Sequence, residues 1–413
     1  MNLLLQTSQS DLLAQIAVTG SKSETNRLLL LKALFQNIIL ANTSNSDDSE
    51  VMIKALENIP FTTHNSQLID IHHAGTAMRF LTAYFAVQEE CEVVLTGSQR
   101  MQERPIKVLV ESLLQLGAEI TYENISGFPP IRIKGKKIIA HKVSISADVS
   151  SQYISALLLI APKLENGIQL TLVGEITSVP YIKMTLALLN ELNIQTSFIG
   201  NVITVKPKKE VENKVMTVES DWSSASYFFS LVALAKSASI SLTSYTETSL
   251  QGDSALVEIY KQMGVTSLFK GNNLILMKQE NFVYSDIKLD LNNTPDIAQT
   301  IVVTCLGLGI GCHLMGLHTL KIKETDRLEA LQIELTKLGA AISVTNDSLT
   351  LIATNEINLE VKIDTYNDHR MAMAFAPLGL KVPIIINNAE VVSKSYPDFW
   401  DDLKNIGFKI SEI

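Results

Sequence analysis

Cysteine is scarce in this chain. Cys91, Cys305 and Cys312 are the three thiols among 413 residues. Their spacing fits no metal-binding pattern, and an odd number of thiols suits a reducing cytosol rather than a disulfide framework. Long apolar runs are also missing: none approaches the roughly 20 residues that a membrane-spanning helix needs. The start, Met1-Asn2-Leu3-Leu4-Leu5-Gln6, lacks the basic region and long apolar core of a signal peptide. These absences predict a soluble, cytoplasmic protein. A surplus of positive charge is absent too. With 34 Lys and Arg against 43 Asp and Glu, the net charge is −9, so no bulk attraction to nucleic acid or acidic membrane is expected. Any bound anion must be held by a local cluster.

Several familiar chemistries have no carrier. The glycines form neither a dinucleotide fingerprint nor a phosphate-binding loop. His72 and His73 are adjacent and cannot both face one site in a strand, and His369 has no ligand-spaced partner. No Ser/His/Asp triad can be argued. Neither a metal nor a cofactor is expected.

What the chain has is repetition. Hydrophobic residues make up 46%, enough for two ordinary domains with cores of their own. A strand at Gln15–Thr19 leads into the polar motif Ser21-Lys22-Ser23-Glu24-Thr25-Asn26-Arg27, then an apolar helix from Leu28 to Phe35. A strand, Ile38–Ala41, a second polar motif, Thr43–Glu50, a helix over Val51–Leu56 and two further strands complete the unit. The order recurs six times with a period of about 70 residues. Later first motifs begin at Ala74, Ser150, Asp221, Asn293 and Tyr366; later second motifs at Arg100, Thr177, Gln251, Lys323 and Ser393. Gly117, Gly264, Gly339 and Gly407 end second helices where a left-handed cap is wanted. Hairpins with polar turns follow, as at Ile199-Gly200-Asn201-Val202 and Lys270-Gly271-Asn272-Asn273. The sixth copy stops after one strand, Phe408–Ile410, and residues 1–19 can supply its missing piece.

Ile154–Ile160 and Tyr227–Ala235 are nearly apolar all round, as buried helices are. Strands such as Val202-Ile203-Thr204-Val205-Lys206 alternate, as sheets with one wet face do. The pattern predicts two inside-out α/β domains, each of three βαβαββ repeats with buried helices and outer sheets. One domain joins 1–19 to 215–413; the other is 20–214, with Lys206–Glu210 as linker. Helix starts would gather at one end of each domain, and two such ends facing each other would form a polar cleft.

A helix start offers unpaired N–H groups and the positive end of the dipole. Here the motifs add Lys22, Arg27, Arg79, Arg104, Lys323, Arg327, Arg370 and Lys394. That local density of cations suits small substrates carrying several phosphate or carboxylate groups. Asp296 and Glu324 are the acid–base candidates. Each motif alone also reads as a plain N-cap. Thr294 can cap a helix with Pro295 first, making Asp296 a dipole-satisfying carboxylate, and Glu324 reads equally as a surface ion pair between Lys323 and Arg327.

Taken together, Ser21-Lys22-Ser23-x-x-Asn26-Arg27, Ala74-Gly75-Thr76-Ala77-Met78-Arg79, Glu103-Arg104-Pro105-Ile106, Ser150-Ser151-Gln152, Lys323-Glu324-Thr325-Asp326-Arg327 and Tyr366-Asn367-Asp368-His369-Arg370 resemble the 3-phosphoshikimate 1-carboxyvinyltransferases. The likeness covers nearly the whole chain in order. The resemblance implies transfer of the enolpyruvyl group of phosphoenolpyruvate to the 5-hydroxyl of shikimate 3-phosphate, with release of phosphate, by a monomer without cofactor. It implies that Lys22, Ser23, Arg27, Ser150, Ser151, Gln152, Ser178, Asp296, Thr319 and Lys323 hold shikimate 3-phosphate, with Tyr181 on its ring. Lys22, Gly75, Arg104, Gln152, Arg327, Arg370 and Lys394 would hold phosphoenolpyruvate. Asp296, Glu324 and Lys22 would be catalytic, Glu324 giving a proton to the methylene carbon and Asp296 taking one from the hydroxyl. The chain departs from the family at His73 and Thr319, where Asn is common, and at Phe80, where Pro is. Lys22-Ser23 and the absence of Cys from Gln99–Glu103 separate it from the UDP-N-acetylglucosamine enolpyruvyl transferases.

Overall fold

The computed structural model describes residues 1–7, 11–57, 66–148 and 150–413. They form two compact units, Met1–Gly20 with Glu219–Ile413, and Ser21–Val218. Each unit is built from three sheets and the helices they cover.

A single strand plan generates the sheets. In the repeat that starts at Ile287, the first strand, Ile287–Asp290, runs parallel to the second, Cys312–Met315. The return strand of the hairpin, Leu349–Leu351, pairs antiparallel with that second strand, and Ile342–Val344 takes the edge. The sheets containing Gln67–Asp70 and Lys142–Ser146 follow the same order. A helical crossover joins the parallel pair, while the tight turn of the hairpin makes the antiparallel one. In the sheet begun by Lys362–Ile363, the return position is filled by Leu3–Gln6, paired Leu5↔Ile384 on one side and Leu5↔Ile410 on the other.

The first strands of two sheets come from elsewhere in the chain. The strand expected at 15–19 is Asp11–Ile16, and it lies parallel to Ser237–Thr243 within the unit containing Glu219–Ile413. Conversely Lys214–Thr217 lies parallel to Ile38–Ala41, with Lys214↔Ile38 and Thr217↔Ala41. That pairing places residues 215–218 in the unit of Ser21–Val218, so the chain passes between units at Val218–Glu219. Lys206–Glu210 stays with Ser21–Val218: the Lys206 N–H donates to the Gln195 carbonyl and the Lys208 N–H to that of Pro162. The two strands expected after Leu56 in the first repeat fall partly outside the described residues, and Gln67–Asp70 opens the next sheet.

Inside each unit the first helices of the repeats form the centre. Gly75–Ala86 is buried at every position and Trp222–Leu234 at all but Ser223. Helices apolar on every face have no stable place but the interior, since exposing one Leu or Phe forgoes about 1.5–3 kcal/mol. Strands alternate instead, as in Ile168–Val173, where Ile168, Leu170 and Leu172 are buried against the helices. Gly117, Gly264, Gly339 and Gly407 all take positive φ, between 74° and 111°, at helix ends. The helix expected over Leu28–Phe35 is longer, Lys22–Leu34, with Ser21 as N-cap. The first polar motif therefore forms the opening turns of a buried helix, and Thr25, Asn26 and Arg27 lie in the interior.

Candidate active site

In Ser21–Val218, contacts between side chains tie the helix starts together. Lys22 Nζ lies 3.3 Å from Asp48 Oδ2 in the first turn of Asp47–Glu57, and His73 Nε2 is 3.8 Å from Asp48 Oδ1. Asp48 is a natural occupant of a helix N-terminus, and it fixes the ammonium of Lys22 as well. Gln152 Nε2 donates to Thr76 Oγ1 at 3.1 Å, which links the starts of Ser151–Ile160 and Gly75–Ala86. Ser150 caps the former, its Oγ accepting from the Gln152 N–H. The Arg104 guanidinium sits on Gly75 so closely that an added Cβ would be 2.7 Å from its Nη1. Arg79 supports this arrangement from below, donating to the carbonyls of Gly75 at 3.0 Å and Pro105 at 3.3 Å.

Arg27 is buried. Its Nε donates to Thr185 Oγ1 (2.8 Å), Nη1 to the Ser23 carbonyl (2.7 Å) and Nη2 to Ser155 Oγ (3.0 Å). Phe80 and Tyr181 flank the guanidinium at 5.4 and 5.8 Å from their ring centroids. Burial lowers its pKa to about 10, against the pull of Tyr181 and Glu24. Ser178 begins Val179–Glu191 in the left-handed region, φ 53° and ψ 41°, and its side chain makes no cap. A serine held there stores roughly 1–3 kcal/mol of strain, which surroundings must sustain.

In the other unit a single buried guanidinium organises the charges. Arg327 donates through Nη1 to Asp296 Oδ1 (2.9 Å), through Nη2 to Glu324 Oε2 (2.8 Å) and through Nε to Asp368 Oδ2 (2.7 Å). Lys323 Nζ is 3.4 Å from Asp296 Oδ1, and Arg370 Nη2 is 3.3 Å from Asp296 Oδ2. Burial works to raise the Asp296 pKa, but Lys323, Arg370 and Arg327 outweigh it and hold the carboxyl far below its usual range. Thr294 makes no side-chain cap here, because the segment Pro295–Ile297 opens as a 3-10 turn. Asp296 therefore answers to three cations rather than to a helix dipole. Asp326, not Glu324, caps Arg327–Lys337, accepting from the Leu328 and Glu329 N–H groups. Glu324 is a half-buried partner of Arg327.

The turn before His369–Phe375 is wound by two successive left-handed residues, Tyr366 (φ 53°) and Asn367 (φ 54°). It delivers Asp368 to two tasks, capping the Arg370 N–H at 2.9 Å and holding Arg327. Lys394 Nζ donates to the Asn367 carbonyl at 2.6 Å. Thr319 Oγ1 is buried and has no hydrogen-bond partner among the described residues. No group of three or more His, Cys, Asp or Glu among them is arranged to hold a metal ion.

The residues singled out from sequence thus fall into two sets. Lys22, Ser23, Arg27, Gly75, Arg104, Ser150, Ser151, Gln152, Ser178 and Tyr181 belong to Ser21–Val218; Asp296, Thr319, Lys323, Glu324, Arg327, Arg370 and Lys394 belong to the other unit. Of the two departures beside Gly75, His73 reaches Asp48, whereas Phe80 is wholly buried against Arg27. Sequence reasoning missed Asp48, Ser223, Asp253 and Asp368. All four lie inside motifs of the repeat, where a polar residue at a helix start is ordinary and no local signal sets them apart.

The chain matches the model of the EPSP synthase (3-phosphoshikimate 1-carboxyvinyltransferase) family over residues 6–403. A 3-phosphoshikimate 1-carboxyvinyltransferase of Bacteroides fragilis strain YCH46 is 43% identical over 410 residues, 98% of each chain. One from Shewanella pealeana is 34% identical over 415 residues, covering 95% of this chain and 96% of that one. Among solved structures, EPSP synthase from Acinetobacter baumannii superposes with a TM-score of 0.79 at 20% identity over the full length of both chains, a likeness of fold. The chain belongs to the EPSP synthase family.

Proposed function

We propose that this chain transfers the enolpyruvyl group of phosphoenolpyruvate to the 5-hydroxyl of shikimate 3-phosphate, releasing inorganic phosphate. The observation that carries this reading is the 43% identity to a named 3-phosphoshikimate 1-carboxyvinyltransferase along 98% of both chains. The chemistry of the two sets of residues supports it. Each substrate carries a carboxylate and a phosphate of about −1.5 to −2 charge, so holding both demands several cations. Lys22, Arg27, Arg104, Lys323, Arg370 and Lys394 supply them.

In this reading Glu324 protonates the methylene carbon of phosphoenolpyruvate, and positive charge develops at the adjacent carbon. The 5-hydroxyl oxygen attacks that carbon while Asp296 accepts its proton. In the elimination the Glu324 carboxylate takes a proton back from the new methyl group while phosphate leaves with the proton held by Asp296, which restores the double bond and both carboxyl groups. Among its three cations Asp296 is a weak base, its carboxyl held far below the usual range. An anionic substrate that draws Arg370 and Lys323 to itself would leave Asp296 with fewer partners and greater basicity. Binding would thus prepare the base. Arg327 stays anchored by Asp368 throughout.

The same reading sets the enzyme to work as a monomer in a reducing cytosol. Every residue it requires is on one chain, and the three cysteines are free thiols, all buried. No helix is long and apolar enough to cross a membrane among the described residues. The test is phosphate release from phosphoenolpyruvate on mixing with shikimate 3-phosphate, with UDP-N-acetylglucosamine as the competing acceptor. Release with neither acceptor overturns the reading, and release with the nucleotide sugar alone reassigns the acceptor.

A further inference from the structure

Behind Arg370 lies a carboxylate that the reaction above does not use. Asp253, in the 3-10 turn Gly252–Ala255, is 2% exposed. Its Oδ2 accepts a hydrogen bond from Ser223 Oγ, while its Oδ1 is buried with no hydrogen-bond partner among the described residues. Ser223 Oγ in turn accepts from Arg370 Nη2 at 3.2 Å. Arg370 also reaches Asp296, Nη1 donating to the backbone carbonyl at 3.1 Å and Nη2 facing Oδ2 at 3.3 Å.

A merely structural role explains neither residue. Ser223 is the second residue of Trp222–Leu234, whose cap is Asp221, accepting from the Ser224 N–H at 2.8 Å. The hydroxyl is therefore not needed for capping. Asp253 is not a cap either, and a buried carboxylate with one oxygen unpartnered is costly to keep. The groups that face it are Asp221 at the start of Trp222–Leu234, Asp296 on Pro295–Ile297 and Arg370 on His369–Phe375. Burial, then Asp296, raises its pKa to about 6, with Arg370 and Ser223 opposing.

We infer that Asp253 and Ser223 are positioning residues that orient the Arg370 guanidinium and, through it, Asp296. By accepting the Ser223 proton, Asp253 fixes the hydroxyl so that only a lone pair faces Arg370. Without Asp253 the hydroxyl can turn its own proton toward the guanidinium, and an acceptor that aims Arg370 is lost. The assignment rests on the proposed reaction, in which Arg370 holds phosphoenolpyruvate.

The experiment is steady-state kinetics of the full chain, wild type, D253N, S223A and the double variant, between pH 5 and 8. Each single variant is expected to raise KM for phosphoenolpyruvate about tenfold, the loss of one charge-assisted hydrogen bond, and to leave KM for shikimate 3-phosphate within about twofold. The double variant should be no worse than either single one, because both break the same relay. The phosphate of phosphoenolpyruvate titrates in the same range in every variant, so the difference between profiles reads Asp253. In wild type kcat/KM for phosphoenolpyruvate should fall below pH about 6 more steeply than in D253N. If D253N does not fold, S223A, which removes a single hydroxyl, carries the same KM expectation. Wild-type protein that turns over neither substrate sinks the reaction and this assignment with it. Wild-type turnover with unchanged KM in S223A, or with both KM values raised equally, overturns the assignment alone.

Discussion

Arg327 and Asp368 form a fully interior ion pair, Nε to Oδ2 at 2.7 Å, with side chains 2% and 0% exposed. Breaking one partner of such a pair leaves an uncompensated charge, which costs about 3–5 kcal/mol. Asp368→Asn should therefore lower the unfolding free energy in urea by that amount. A loss under about 1 kcal/mol would mean that Asp296 and Glu324 suffice to hold Arg327.

The two acid–base candidates should separate from their structural surroundings by kinetics. Asp296→Asn and Glu324→Gln should fold and bind both substrates, yet lose about 10²-fold or more in turnover. They should differ in one respect. Without an acid at position 324 the methylene carbon is not protonated, so exchange of solvent hydrogen into phosphoenolpyruvate should vanish chiefly in Glu324→Gln. Exchange at the wild-type rate in that variant would remove Glu324 from the acid role.

Gly75 has space for no side chain so long as Arg104 lies where it does, since a Cβ would sit 2.7 Å from Nη1 and 3.1 Å from Nη2. The obstacle is the far end of a flexible side chain, so Gly75→Ala should fold normally and displace the guanidinium. KM for phosphoenolpyruvate should rise about tenfold, with KM for shikimate 3-phosphate little changed. Equal effects on the two would move Arg104 out of the phosphoenolpyruvate set.

Asp253 also makes a prediction about stability. Its folded pKa, about 6, lies above the usual carboxylate value of 3.8, so between those values the folded chain binds a proton that the unfolded chain has lost. The stabilisation from that proton is full below pH about 4 and disappears as pH rises through about 6. Across this window it amounts to about 3 kcal/mol. D253N, which does not titrate, should gain about that much relative to wild type on going from pH 4 to pH 7. A constant difference in urea midpoints across the range would show that Asp253 ionises as freely in the folded chain as in the unfolded one.

Much of this molecule was legible before its structure. The inner helices announce themselves because nothing polar interrupts Ile154–Ile160 or Tyr227–Ala235, and the outer strands because they alternate. Gly117, Gly264, Gly339 and Gly407 mark helix ends because their positive φ suits no other residue so well. What stayed hidden depends on contacts between residues far apart in sequence. No local signal tells Asp11–Ile16 to pair with Ser237–Thr243, or Lys214–Thr217 with Ile38–Ala41. In the site, Asp296 looked like a helix-start carboxylate because Lys323, Arg327 and Arg370 reach it from other segments. Asp253 and Asp368 are inconspicuous in sequence for the same reason: an acidic residue at a helix start is common, and only its burial sets it apart.

Leu3–Gln6, lying between Ile384–Ile386 and Lys409–Glu412, has a consequence for biosynthesis. Ser21–Val218 is contiguous and can be completed as soon as it has left the ribosome, but the strands at Leu3–Gln6 and Asp11–Ile16 emerge first. Leu3 and Leu5, both interior in the finished fold, gain their last neighbour only when residues 409–412 appear. At about 5–20 residues per second, that is a wait of roughly 20–80 s. Until residues 237–243 appear Asp11–Ile16 has no strand of its own chain to pair with, and until residues 384–386 appear neither has Leu3–Gln6, and such edges invite pairing with other chains. Yield in a cell should thus depend on translation speed and on chaperones that shelter the first twenty residues, more than on the equilibrium stability of the finished enzyme.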